Sequence, residues 1–130
     1  MNLESPKVTT NKSQQEMYNF LSNVENYRQI MPSSMEEFEV TGPEKFRFSL
    51  KGMPQIELQI TEKHEPELIV LGSTSSNLNF ALNVLIEPEG EDKSVTQMLF
   101  DGKFNAMMSM MVKGPLTKFI NTLSENVAKL

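Results

Sequence analysis

The hydrophobic repeat of this chain changes twice, and the order of those changes limits what the chain can fold into. After an extended opening segment, apolar residues recur every three or four positions. From about residue 35 they recur every second position, and from about residue 106 the longer spacing returns. Asn2–Thr10 reads as a strand in which Pro6 marks a bulge or a poorly paired position. Ser13 stands three residues before Glu16, the spacing in which a hydroxyl and a carboxylate each satisfy a free amide at a helix start. Met17, Phe20, Leu21 and Val24 then give that helix one apolar face. A short second helix is expected around Asn26–Met31, and Pro32 stops it.

The middle of the chain alternates. Met35–Val40 is a weak strand, Phe46–Leu50 a clearer one, and Gly52-Met53-Pro54 a turn. Ile56, Leu58 and Ile60 alternate with Glu57, Gln59 and Thr61, which describes a strand with one wet face. Leu68–Leu71 is a short buried run. Leu78, Phe80, Leu82, Val84 and Ile86 alternate cleanly, Pro88-Glu89-Gly90-Glu91-Asp92 forms a hairpin tip, and Val95–Phe104 returns. The count is seven strands, and the short turns force antiparallel neighbours.

The last segment, Ala106–Leu130, is helical. Met108, Met111, Leu116, Phe119, Leu123, Val127 and Leu130 trace one stripe. At ~1.5 Å per residue, Met107–Leu130 spans about 36 Å, enough to cross a small domain. Gly114-Pro115 predicts a kink or a division into two pieces, the first turned toward the open end of the sheet as a lid. A sheet of this size must bury one face, and only the terminal helix is long enough to cover it. An α+β fold follows, with the sheet curled around that helix, in a single domain over residues 1–130.

This order resembles the helix-grip fold of the START/Bet v1-like (SRPBCC) superfamily. Ser13-x-x-Glu16-Met17-Tyr18-x-Phe20-Leu21 through Tyr27 looks like that family's first helix and the turn after it. Ile30-Met31-Pro32 resembles the stop that follows. Phe104-Asn105-x-Met107-Met108-x-Met110-Met111 with Pro115-Leu116-x-x-Phe119 resembles the final strand-to-helix junction. Polyketide cyclase/dehydrase-like members, and those similar to the family's carbon monoxide dehydrogenase component, are the nearest in pattern. Asn23-Val24 stands where the family has Asp-Pro, and the chain is short for the family. The resemblance implies a curved seven-stranded antiparallel sheet, two short helices after the first strand, and a ligand cavity between the sheet and the C-terminal helix.

Charge and residue counts exclude several functions. With 12 basic and 17 acidic side chains the net charge is −5, which argues against nucleic acid and anionic membrane surfaces as partners. No cysteine means no disulfide, no thiol catalysis and no zinc–thiolate site, and one histidine does not make a usual zinc site. No cofactor or metal is expected. The longest apolar run is Leu68–Leu71, so no membrane insertion is expected. The opening residues lack the pattern of a signal peptide, so a cytoplasmic location is expected. No nucleophile-elbow, dinucleotide or phosphate-loop motif occurs.

Candidate site residues follow from the implied cavity. Met107, Met108 and Met111 would form a deformable thioether wall, or would equally well fill a core that lacks tryptophan. Phe80, Leu82, Met98, Phe100, Phe104 and Phe119 complete the expected lining, and Glu62 would end the apolar row of its strand as a buried acid or hydrogen-bond anchor. His64 reads as a solvated turn residue, and Arg28 and Arg47 would pair either a ligand's acid group or nearby glutamates. The expected function is binding of a small hydrophobic molecule, lipid- or polyketide-like, by a monomer or homodimer. The alternatives are a cyclase- or dehydratase-like enzyme on the same fold, and an interaction module using a sheet edge or the acidic surface.

Overall fold

Helix α1 (Gln14–Ser22) starts on the capping pair read from the sequence. The Glu16 amide donates to Ser13 Oγ and the Ser13 amide to Glu16 Oε1, both at 3.1 Å, and these bonds hold the Glu16 carboxyl below its usual range. A computed structural model describes residues 1–75 and 78–130. After α1, Asn23 opens a 3-10 helix, Val24–Gln29, two residues earlier than the spacing predicted. Its Tyr27 is buried and donates to the Leu21 carbonyl at 2.8 Å, and that burial pushes the phenol pKa up.

Among the described residues eight strands form one antiparallel sheet. They are β1 (Asn2–Glu4), β2 (Val8–Thr10), β3 (Met35–Gly42), β4 (Lys45–Leu50), β5 (Ile56–His64), β6 (Leu68–Ser73), β7 (Phe80–Glu89) and β8 (Lys93–Gly102). The spatial order is β1-β8-β7-β6-β5-β4-β3, and β2 also pairs β8. The eighth strand arises at Pro6. Leu3 sits opposite Phe100 and Val8 opposite Thr96, so one side takes five steps where the other takes four. Proline has no amide to give the ladder. Ser5 bridges the gap, with its amide donating to the Met98 carbonyl at 2.9 Å and its hydroxyl accepting from the Met98 amide at 2.8 Å.

Strand β5 carries a second irregularity, and it relocates Glu62. Ile60 pairs Leu71 but Glu62 pairs Val70, which leaves Thr61 as an extra residue. Before this bulge Ile56, Leu58 and Ile60 point inward; after it Lys63 shares a face with Ile69, and Glu62 stands exposed on the outer face. Glu62 is therefore not a buried anchor. Gly72 makes room for the bulge, because a Cβ there would lie 3.0 Å from Thr61 Cγ2.

Helix α2 (Ala106–Ala128) runs unbroken through Gly114 and Pro115, so the predicted division into two pieces does not occur. Asn105 caps it by accepting from the Met108 amide at 2.8 Å, and Asn126 ties its far end to the Ile30 carbonyl at 2.8 Å. The backbone of α2 comes closest to β2, β8 and β1. Where β2 meets β8 the buried side chains are small: Thr10, Ser94 and Thr96 are all buried, as is Ser124 on the helix. Among the described residues their hydroxyls find no protein partner, so size and not hydrogen bonding accounts for them. Thr96→Val, which keeps the shape and removes the buried hydroxyl, is expected to raise stability by about 1 kcal/mol in urea unfolding.

Toward β4 the gap is filled by rings. Tyr27 stacks on Phe46 at 5.0 Å between centroids, Phe46 on Phe48 at 5.9 Å, and Phe48 on Phe119 of α2 at 5.3 Å. This row occupies the middle of the space between sheet and helix.

Candidate functional site

Two breaks in the sequence pattern meet in space. The turn joining β4 to β5 closes with the Met53 amide donating to the Leu50 carbonyl at 3.0 Å, and Gly52 supplies the φ of +82° that the turn needs. The Lys51 amide donates to the Ser34 carbonyl at 3.2 Å, which fastens this turn to the segment after the 3-10 helix. Gly114 and Pro115 of α2 face them. Between the three segments lies a groove of about 400 Å³, within the size range of small-molecule sites.

The chemistry of the groove is simple. Buried Leu50 and Phe119, partly buried Met53, and Pro32 and Pro115 make it apolar, and Lys51 and Lys118 are exposed at its margin. No carboxylate lines it, and among the described residues neither lysine forms an ion pair. No histidine lines it either. The arrangement can hold an apolar body and attract a negative charge.

The residues singled out from the sequence fall in four places. Phe119 lines the groove. Phe80, Phe100 and Phe104 form a separate cluster, with centroid distances of 4.8 and 6.2 Å, and Leu82 and Met98 are buried in the sheet interior. Met108 packs partly against the core, whereas Met107 and Met111 are 74% and 67% exposed and line no interior wall. The helix buries Val112 instead. Leu116 is five positions on from Met111, which at about 100° each puts the two on different faces. Glu62 lies outside, 3.4 Å from His64 in a surface pair.

Other polar candidates are engaged elsewhere. Arg28 pairs Glu25 at 2.8 Å with its guanidinium over the Phe38 ring, and Arg47 pairs Glu39. Glu57 accepts from Thr41 at 2.9 Å and Thr74 at 2.8 Å on the sheet's outer face, and these bonds hold its carboxyl below the usual range. Among the described residues no group of three or more metal-ligating side chains gathers, and no helix is long and apolar enough to cross a membrane. Sequence reasoning missed Leu50, Lys51, Met53 and Lys118. The signal was present, because they flank the Gly52-Met53-Pro54 turn and the Gly114-Pro115 step.

The architecture is the helix-grip fold of START/Bet v1-like proteins. Norcoclaurine synthase from Thalictrum flavum, a point mutant in complex with a transition-state analogue, superposes with a TM-score of 0.75 at 10% identity, over 99% of this chain and 92% of its own. A conserved protein from Geobacillus kaustophilus gives 0.71 at 13% identity, over 99% and 93%. A START superfamily protein from Mycobacterium smegmatis gives 0.70 at 14% identity, over 98% and 97%. No family model matches the sequence, and no curated protein matches it.

Proposed function

We propose that this protein binds a small molecule with an apolar body and an acidic group, seated in the groove between α2 and the β4–β5 turn. The observation that carries this is the pairing of an apolar floor, Leu50 and Phe119, with two lysines and no carboxylate. In a chain of net charge −5 such a pocket selects for anions locally. The fold itself accommodates small aromatic molecules, since norcoclaurine synthase has been solved with dopamine and hydroxybenzaldehyde. The ligand of this reading sits at the surface, because the ring row from Tyr27 to Phe119 fills the space behind it.

Calorimetry with decanoate and 1-naphthoate, against decanol and naphthalene, tests the reading. The acids are expected to bind, and Lys51→Ala with Lys118→Ala to weaken them about tenfold, since an exposed ion pair contributes about 0.2–1 kcal/mol. Equal affinity for acids and uncharged analogues, or acid binding unchanged in the double variant, overturns it.

A further inference from the structure

The first turns of α2 present an apolar surface to solvent. Met107, Met110 and Met111 are 74%, 85% and 67% exposed, at the i, i+3, i+4 spacing that puts them on one helix face. From Ala106 to Met111 no residue is buried, and Met110 and Lys113 border a wide, open depression that runs along α2 as far as Glu125. Lys103 and Lys113 flank it, both exposed and, among the described residues, without an ion pair. From Gly102 to Ser124 the chain has no Asp or Glu, although it carries 17 acids in all. We propose that this face seats the protein on an anionic phospholipid bilayer.

Three features favour a bilayer over a protein partner. A methionine face whose depression is open and lined by α2 alone suits a deformable acceptor, whereas an amphipathic peptide helix lies in a groove walled on both sides. A two-fold copy of this chain would bring Lys103 and Lys113 against their own kind. The dense acids Glu87, Glu89, Glu91 and Asp92 sit at the far end of the β7–β8 hairpin from the first turn of α2. Ten residues at ~3.3 Å make that separation roughly 30 Å, well beyond a Debye length of about 8 Å. Asp101 is the one exposed carboxylate in the sequence just before the patch. The net negative charge therefore does not govern this surface.

The face adjoins the proposed ligand groove through Gly114 and Lys118, which border both. On the proposed reading of that groove, its ligand is an acidic amphiphile handed over from the lipid surface.

Cosedimentation of the full chain with vesicles tests this. Binding is expected to phosphatidylcholine vesicles containing a quarter phosphatidylglycerol, to be lost with phosphatidylcholine alone, and to fall steeply at high salt. Met107→Ser with Met110→Ser and Met111→Ser is expected to lower partitioning about a hundredfold or more. Lys103→Ala with Lys113→Ala is expected to lower it about thirtyfold. Both variants should bind decanoate in solution as the parent does. If the triple variant misfolds, Met110→Ser with Lys113→Glu reads the same surface. No lipid-dependent sedimentation, with decanoate binding intact, overturns the docking surface and leaves the groove standing; docking with no acid binding overturns the groove and leaves the surface. A concentration-dependent dimer abolished by the methionine variant, without vesicle binding, assigns the face to a second copy and also overturns the proposal.

Discussion

Phe48→Ala is expected to destabilise the protein by about 3–5 kcal/mol, the scale for truncating a large buried aromatic side chain. For a domain of this size that is a large share of a total of about 5–15 kcal/mol. Phe48 is fully buried on β4 and joins the Phe46 ring to the Phe119 ring, so its removal opens a hole between sheet and helix that neither neighbour can close by moving alone. Urea unfolding measures the loss as a lower midpoint at unchanged slope. The same variant reports on function, because an apolar hole lined by rings stays dry and admits small apolar molecules. A cost below about 1 kcal/mol would show that the ring row is loosely packed and that the interior is already open to ligand.

The second large effect is of opposite kind. Gly102 ends β8, and a Cβ there would stand 2.7 Å from Phe104 Cε2 and 2.8 Å from Phe100 Cε1. Phe100 has no room to yield, since it is buried and stacks on Phe80 at 4.8 Å. Gly102→Ala is therefore expected to cost about 1–3 kcal/mol through overpacking. Gly114→Ala is the control: nothing lies within 4 Å of a Cβ there, and the helix interior gains from losing a glycine. If Gly102→Ala unfolds at the parent's midpoint, the two rings do not close over this glycine.

Elements with a local cause were legible in the sequence. The Ser13–Glu16 cap and the alternation of β7 depend on neighbours a few residues apart. The cap stands where the spacing placed it, and the inward row from Phe80 to Ile86 holds, although the strand starts two residues late and runs on to Glu89. What escaped depends on contacts that spacing does not encode. Periodicity shows that Met107, Met110 and Met111 share a helix face but not whether the sheet covers it, and the covered face runs through Val112 and Leu116. The extra residue at Thr61 inverts every side chain after it, which is why Glu62 left the interior. The groove joins Leu50 to Lys118, residues that no local pattern connects.

The borders of the sheet carry one more consequence. On one side lie β1 and β2, three residues each and separated at Pro6; on the other lies β3, whose register slips twice, between Met35 and Glu37 and between Val40 and Gly42. Glu36, Glu37 and Glu39 project from β3 into solvent. Strand-to-strand accretion, the route to fibrils and swapped aggregates, needs a long, regular and uncharged border. Neither margin here provides one, so the exposed methionines are carried by a molecule whose sheet is guarded against self-templating at both ends.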